Sequence, residues 1–324
     1  METKYAAGFA EKTDSFSTTT VESLLSFTNY WDQTMEQDQK TSVKNRLKSK
    51  IKSLSLSKED MTKFCKILQE RASAAAEIEV QKFNRGNRSD EELDKALKTL
   101  REGFELKITI AGINGEELYG SIEDVFNSPN FPEQIKHLYV NSEHVLIGTH
   151  NYYPLNSFEI FLDFSKPSIF DFSLMPSLGT PNESNYEVRG YDATWANGVY
   201  SEITKFIGQR SSTLSRVHNH SVYDFLLWFF GFPIAFWTCF KLSNLIESLG
   251  SDVNSFVISA IYFYSFVATL FLFRILFHYL RWVCPLVEYK VSGNKIIAHR
   301  AFLALLATGI LIDLITDVIK WVGK

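Results

Sequence analysis

The sequence has few cysteines and no motif that specifies a metal site. Its 324 residues contain three cysteines, Cys65, Cys239 and Cys284, which are odd in number and lie far apart. Such spacing argues against a disulfide framework and against a zinc site of paired thiols, and it fits a reducing compartment. The histidines in the middle of the chain have no zinc-binding spacing either, so no metal ion is predicted.

An excess of basic charge is also missing. The chain carries 33 Lys and Arg residues against 37 Asp and Glu residues, which gives a formal net charge of -4. Nucleic acid is therefore not an expected partner, because a surface that binds it is normally strongly basic. Residues 1–15 lack the apolar stretch of a secretory signal, so this end of the chain is expected in the cytoplasm.

Motifs that would identify a reaction are absent as well. The sequence has neither a phosphate-binding loop ending in Gly-Lys-Ser/Thr nor the Gly-x-Ser-x-Gly turn of a serine hydrolase. Glu159, Asp163 and Asp171 would place carboxylates on one face of a sheet, as an acid–base pair or a cation site needs. No glycine loop accompanies them, and a solvated sheet face is the favoured interpretation. We therefore predict no catalytic residue and no cofactor.

Densely charged segments in the first hundred residues predict helices. Residues 1–20 are polar and predict a disordered tail, and a helical region is predicted over 21–103. Apolar residues spaced by four, four and three over 43–54 predict a basic amphipathic helix. Its cations are Lys44, Arg46, Lys48, Lys50 and Lys52. This helix is a candidate membrane-surface element, since each cation near an anionic leaflet contributes roughly 1 kcal/mol; a solvated face packed on the domain is the favoured alternative.

Capping residues mark the remaining helices of the soluble part. Ser57, with carboxylates directly after it, predicts the start of a helix that continues to about Phe83. Ser89 predicts the start of a second helix that ends near Leu100, and Asp192 predicts the start of a third.

From residue 104 the hydrophobic period changes from helical to alternating. Strands are predicted in "FELKITIAG" and "EELYG", around a turn at Asn114-Gly115, and at 136–141, 145–152, 156–164, 168–173 and 185–189. About seven strands followed by a helix resembles the element order of a pleckstrin-homology-like barrel, and an α+β sheet capped by helices fits equally. The fold class is therefore predicted as α+β, with a β-rich cytosolic domain over 104–216.

Two long apolar runs follow this domain. Residues 222–240 contain one charged residue, Asp224, and residues 255–273 contain none. Each run is about 28 Å long as a helix, close to the roughly 30 Å of a hydrocarbon core. A transmembrane hairpin is predicted over 217–282. Basic residues flank both outer ends, with Arg274 and Arg281 after the second run, so the main domain is expected in the cytoplasm.

Two further features of the membrane part are candidate sites. Gly231 and Pro233 predict a kink and a position of close helix packing in the first span. Residues 283–324 predict a short hairpin that turns at 292–294, followed by a third apolar helix, which either spans the membrane or lies in its interface. Asp313 and Asp317 share one face of that helix. A carboxylate within a membrane costs about 3 kcal/mol on insertion, so one that is present there usually has a functional role.

These features support three hypotheses about function. The first is a non-enzymatic protein of a bacterial-type inner membrane, whose cytosolic domain senses a ligand or an operon-encoded protein partner. Binding would then change the membrane helices or the state of a homo-oligomer. The second is an effector that permeabilises the membrane, for example in phage defence. The third is a membrane-tethered enzyme that uses Glu159, Asp163 and Asp171.

Overall fold

The structure is a computed structural model, and it describes most of the chain from residue 43 onward. The described residues are 43–169, 182–211, 220–249, 254–291, 297–305, 308, 309, 312 and 316. The predicted tail, most of the predicted strand over 168–173 and the predicted turn at 292–294 lie outside these residues. Within them the chain is α+β, as predicted: an antiparallel sheet packs against helices, and two apolar helices follow.

A six-stranded antiparallel sheet forms the centre of the soluble part. Its strands are β1 (Asn45–Lys50), β3 (Lys107–Gly112), β4 (Glu117–Ser121), β5 (Ile135–Asn141), β6 (Asn156–Asp163) and β7 (Asn185–Gly190). They lie in the order β1-β7-β6-β5-β3-β4. Two short strands, β2 (Leu54–Leu56) and β8 (Val287–Tyr289), form a separate parallel pair.

Alternating side chains explain why these segments form a sheet. Leu138 is paired with Leu162 and Val140 with Ile160, and all four point to the buried face. The predicted hairpin between β3 and β4 is confirmed, and Gly115 in its turn has a φ of 91°, a conformation that favours glycine.

Among the described residues, five helices complete the soluble part. They are α1 (Lys58–Lys82), α2 (Asp90–Gly103), α3 (Ile122–Phe126), α4 (His144–His150) and α5 (Ala193–Gln209). The predicted caps are confirmed, since Ser57 and Ser89 each form a capping box and Asp192 accepts hydrogen bonds from two backbone N–H groups. Phe64 of α1 stacks on Phe206 of α5 with ring centroids 4.5 Å apart, which packs the two helices against each other.

The predicted basic helix over 43–54 is wrong, because Asn45–Lys50 is the edge strand β1. The spacing of Leu47, Ile51 and Leu54 suits one helix face, but the cations also alternate with less polar residues, which is a strand period. Pairing with β7, more than a hundred residues later, determines the outcome. Tertiary pairing of this kind overrides a local periodicity.

Two other predicted strands are also wrong. Residues 145–152 were expected to form a strand, but His144–His150 is the short helix α4, which ends where Asn151 adopts a φ of 49°. The second arm of the hairpin expected after residue 283 is helical over 297–305. Its first arm is β8, which pairs with β2.

One hydrophobic core joins the segments that the sequence divides into a helical and a β-rich region. A continuous cluster of buried side chains runs from Ile51 through α1, the sheet and α5, and it includes Val287 of β8. The described parts of 21–103 and 104–216 therefore pack as one unit, and the chain beyond the apolar helices returns to it.

Two apolar helices lie between α5 and β8. The first comprises α6 (His220–Leu226), a π-helical segment (Leu227–Gly231) and α7 (Phe232–Leu249), and the second is α8 (Ser255–Val283). Both are long and apolar enough to cross a membrane. A core helix of a soluble protein is mostly buried, whereas only 6% of the most apolar window of α8 is buried in this structure.

Candidate functional site

The segments that precede and follow the apolar helices in the chain both bond the same short strand, β2. Leu54 N–H donates to Leu286 O (3.0 Å), and Lys290 N–H donates to Leu56 O (2.8 Å), so β2 holds the chain that leaves α8. Ser55 N–H donates in the other direction to Arg210 O (3.1 Å), directly after α5. We call β2, β8 and Arg210 the junction. β2 therefore bonds a segment on each side of the apolar helices in the chain.

Side chains strengthen the junction on the α5 side. Arg210 Nε donates to Asp60 Oδ1 (2.8 Å), and the guanidinium lies 3.8 Å from the ring centroid of Phe206. Asp60 also accepts from Ser57 in the capping box of α1. Burial would raise the pKa of the Asp60 carboxyl, but the hydrogen bond and charge of Arg210, together with Ser57, lower it. The start of α1 and the end of α5 are therefore linked by an ionised pair.

The α8 side of the junction is held by Arg300. Its Nε and Nη2 donate to Val283 O at 3.0 and 2.9 Å, which satisfies a carbonyl at the end of α8. The same guanidinium donates to Glu288 Oε1 in β8 (2.8 Å). One arginine thus connects the helical segment 297–305, the end of α8 and the strand that pairs with β2.

A buried stripe of basic side chains lies on α8 close to the junction. Arg274, His278 and Arg281 follow at spacings of four and three, and each is at most 5% exposed. The Arg281 guanidinium lies 4.5 Å from the ring centroid of Tyr223 in α6. The sequence predicted Arg274 and Arg281 as basic residues that flank the second span, and the structure places them in the buried interior of the hairpin. Their spacing was the signal, since three polar groups on one helix face indicate a protein contact.

Gly231 and Pro233 lie where the first apolar helix departs from α-helical geometry. Phe232 N–H donates to Leu227 O, the longer hydrogen bond of the π segment, just before the proline. Gly231 is buried, and a Cβ at this position would lie 3.7 Å from Phe273 of α8. This position therefore packs against the second apolar helix, and the predicted kink stays a prediction.

The open face of the sheet carries a network of charges centred on Glu187. Arg46 Nε and Nη2 donate to the two carboxylate oxygens of Glu187 at 2.6 and 2.9 Å, and Lys48 lies 3.6 Å away. Arg189 bonds Glu187, Glu143 and Glu159 at the same time. The side chain of Glu187 is only 4% exposed, so it is the most enclosed member of the network.

The carboxylates predicted on this face are bound by structural partners. Glu159 accepts from Arg189 Nη2 (3.1 Å) and from Tyr139 Oη (3.0 Å). Asp163 accepts from Ser165 N–H (2.9 Å) and shapes the turn after β6. The third, Asp171, lies outside the described residues, as do Asp313 and Asp317. Among the described residues, no group of three or more His, Cys, Asp or Glu side chains is arranged to hold a metal ion.

The predicted basic residues lie along an edge strand instead of a helix, and Arg46, Lys48 and Lys50, which alternate along β1, point to one face of the sheet. Arg46 and Lys48 belong to the Glu187 network, and Lys44 Nζ lies 5.5 Å from the ring centroid of Tyr191. Lys50 and Lys52 are exposed at the end of β1. No local signal indicates that Arg46 pairs with a residue of β7, because the two strands are far apart in the chain.

Comparisons with other proteins do not assign this arrangement to a family. No protein-family model matches the chain, and no match was found among curated proteins or solved structures.

Proposed function

We propose that this chain is a non-enzymatic, membrane-anchored protein whose soluble domain binds a ligand or protein partner and couples that binding to its apolar helices. The observation that carries the proposal is the junction, where one three-residue strand bonds the segments at both ends of the hairpin. A simple anchor needs one attachment, whereas two attachments to a single strand let that strand act on both helices together.

A short path connects the sheet face to the junction. β1 ends at Lys50, and β2 begins at Leu54, so residues 51–53 join the Glu187 network to the junction strand. Ile51 is buried, and its N–H donates to Ser184 O (2.9 Å), which restrains this connection. A partner that binds the open face beside β1 would therefore displace β2 as well, because the connection of residues 51–53 is short and restrained.

The same proposal includes two membrane spans with the soluble domain in the cytoplasm of a bacterial cell. The α8 helix has 29 residues and is about 43 Å long, which matches a bilayer including its headgroups. Large apolar side chains such as Trp228, Phe236, Phe263 and Leu272 are exposed along both helices, as lipid contact requires. Self-association within the membrane is part of this proposal.

Cysteine labelling tests the orientation. In a variant with Cys239 and Cys284 replaced by serine, a new cysteine at Asp252 should react with a membrane-impermeant maleimide in intact cells. A new cysteine at Lys205, which is exposed on α5, should react only after permeabilisation. Cys65 adds no background, since burial raises the pKa of its thiol to about 12. Labelling of Lys205→Cys in intact cells would contradict a cytoplasmic domain.

Hydrogen exchange tests the coupling in the full chain reconstituted into bilayers. Arg46→Ala removes two hydrogen bonds to Glu187 and should loosen β1 by about 1 kcal/mol, which is roughly fivefold faster exchange. Coupling predicts that the amides of 284–291 also exchange faster. Tyr119→Ala is the matched control, because Tyr119 is exposed on β4 at the opposite edge of the sheet. Equal effects of both variants on 284–291, or no effect of Arg46→Ala there, would exclude the path through β1.

A further inference from the structure

Lys166 is a half-buried cation near the end of the second apolar helix. Within the described residues, its Nζ makes no hydrogen bond and no ion pair, and it lies 5.7 Å from the ring centroid of Trp282. Burial lowers the pKa of the Lys166 ammonium, Glu288 raises it and Arg300 lowers it. A lysine that loses water without gaining an anion is costly, and an anion at this position would compensate for it.

The residues around Lys166 have the composition of a headgroup-binding site. Tyr279 Oη lies 2.9 Å from His299 Nδ1, and the His299 ring meets Trp282 edge to face, with centroids 5.4 Å apart. Tyrosine and tryptophan concentrate at the level of lipid headgroups, because their rings are apolar and their polar atoms need water or phosphate. We call Lys166, Tyr279, Trp282, His299 and Arg300 the collar.

The depth of the collar agrees with this composition. If α8 spans the bilayer from Ser255, its length of about 43 Å puts Trp282 in the opposite headgroup layer. Leu272 and Leu276, about two turns and one turn before Tyr279, are exposed and apolar, so the lipid-facing surface stays hydrophobic up to the collar.

Charge at the collar is unbalanced towards the positive. Arg300 pairs with Glu288, which leaves no carboxylate within ion-pair distance of Lys166 among the described residues. Trp282 shields one side of the ammonium with its ring, and a cation over an aromatic face still attracts an anion on its open side. The anion that is abundant in the headgroup layer of the bilayer is the phosphate of a lipid.

We propose that the collar binds the phosphate-bearing headgroup of an anionic membrane lipid, with Lys166 Nζ as the principal cation and Trp282 beside the glycerol. The inference rests on the proposed function only in requiring that the hairpin lies in a bilayer. Because Arg300 also bonds the end of α8 and Glu288 of β8, one side chain of the collar connects a lipid bound here to the junction.

Native mass spectrometry of the full chain released from bilayers tests the collar. The bilayers contain phosphatidylcholine with a minor fraction of phosphatidylglycerol, and the measured quantity is the number of phosphatidylglycerol molecules retained per chain. Lys166→Gln should weaken retention by about fivefold, which corresponds to roughly 1 kcal/mol for one cation at a membrane surface. Lys166→Arg should restore most of it, since it keeps the charge.

Lys290→Gln is the matched control, because Lys290 is exposed, follows β8 and carries the same charge. Equal losses in Lys166→Gln and Lys290→Gln would overturn the site, since only the net charge would then matter. Displacement of the lipid by soluble glycerol phosphate at the same concentration would also overturn it, because the site would then bind free phosphate. Failure of the wild-type chain to enter bilayers would instead overturn the membrane part of the proposed function.

Discussion

Replacing Ser55 by proline should detach the junction strand from Arg210 and lower the stability of the full chain by about 3 kcal/mol. The proline removes the N–H that donates to Arg210 O and leaves that carbonyl without its partner. The hydrogen bonds of Leu54 and Lys290 to the other side of the junction do not involve the Ser55 N–H, so β8 keeps its ladder partners. The stability is measured by urea denaturation in detergent micelles, with circular dichroism as the signal.

Ser55→Ala is the control for this variant. It keeps the backbone N–H and loses only the hydroxyl, which lies 3.4 Å from Glu288 Oε2 in an arrangement too long to contribute much. Its stability should stay within about 0.5 kcal/mol of the wild type. If Ser55→Pro and Ser55→Ala unfold at the same urea concentration, the bond to Arg210 does not hold the junction together.

Amide exchange in the same two variants reports on function as well as stability. Proline at 55 should speed exchange in 205–211, at the end of α5, before it affects the distant β4. Such a gradient would indicate that β2 transmits displacement toward the first apolar helix. Uniformly faster amide exchange across the domain would instead indicate global destabilisation, and β2 would then not transmit displacement specifically to the first apolar helix.

The elements that the sequence predicts well are those whose signals are local. Ser57 and Ser89 form their capping boxes within four residues, and the Asn114-Gly115 turn needs only its two flanking strands. The apolar runs are equally local, because length and lack of charge suffice to identify them.

The elements that the sequence misses depend on distant partners. The bond between Arg46 and Glu187 joins residues 141 positions apart, and the contact between Ser55 and Glu288 joins residues 233 positions apart. Nothing near β1 shows that β7 will pair with it, so the helical spacing of four apolar residues outweighed the alternation of charges. The candidate site was missed for the same reason, since the junction exists only after the chain returns from α8.

The carboxylates of the sheet face illustrate a half-correct prediction. Alternation along β6 placed Glu159 and Asp163 on the face opposite Ile160 and Leu162, and the structure agrees. Their partners come from β5 and β7, which no spacing within β6 could show. The sequence therefore could not identify a partner for the Glu159 carboxylate, which in the structure accepts hydrogen bonds from Arg189 and Tyr139.

Glu187→Gln should be the most destabilising substitution on the open sheet face, at about 3 kcal/mol near neutral pH. Burial would raise the pKa of this carboxyl, but hydrogen bonds and charges from Arg46 and Arg189 lower it from 4.5 to about 2. When the pKa of a carboxyl is lower in the folded chain than in the unfolded chain, ionisation of that carboxyl stabilises the fold at every pH above the unfolded pKa. The lowered pKa of Glu187 corresponds to roughly 3 kcal/mol of unfolding free energy. Glutamine keeps the shape and removes the charge that compensates the two arginines.

The pH dependence distinguishes this charge effect from lost packing. The contribution of Glu187 is complete above about pH 4.5 and disappears as the pH falls through about 2, because the folded form then takes up the proton. The difference in unfolding free energy between wild type and Glu187→Gln should therefore shrink steadily between these values. Glu183→Gln is the matched control, since Glu183 is exposed two residues before β7, and it should show no such trend. A constant difference between wild type and Glu187→Gln across this range would mean that the ion pairs of β1 with β7 do not stabilise the edge from which the junction strand extends.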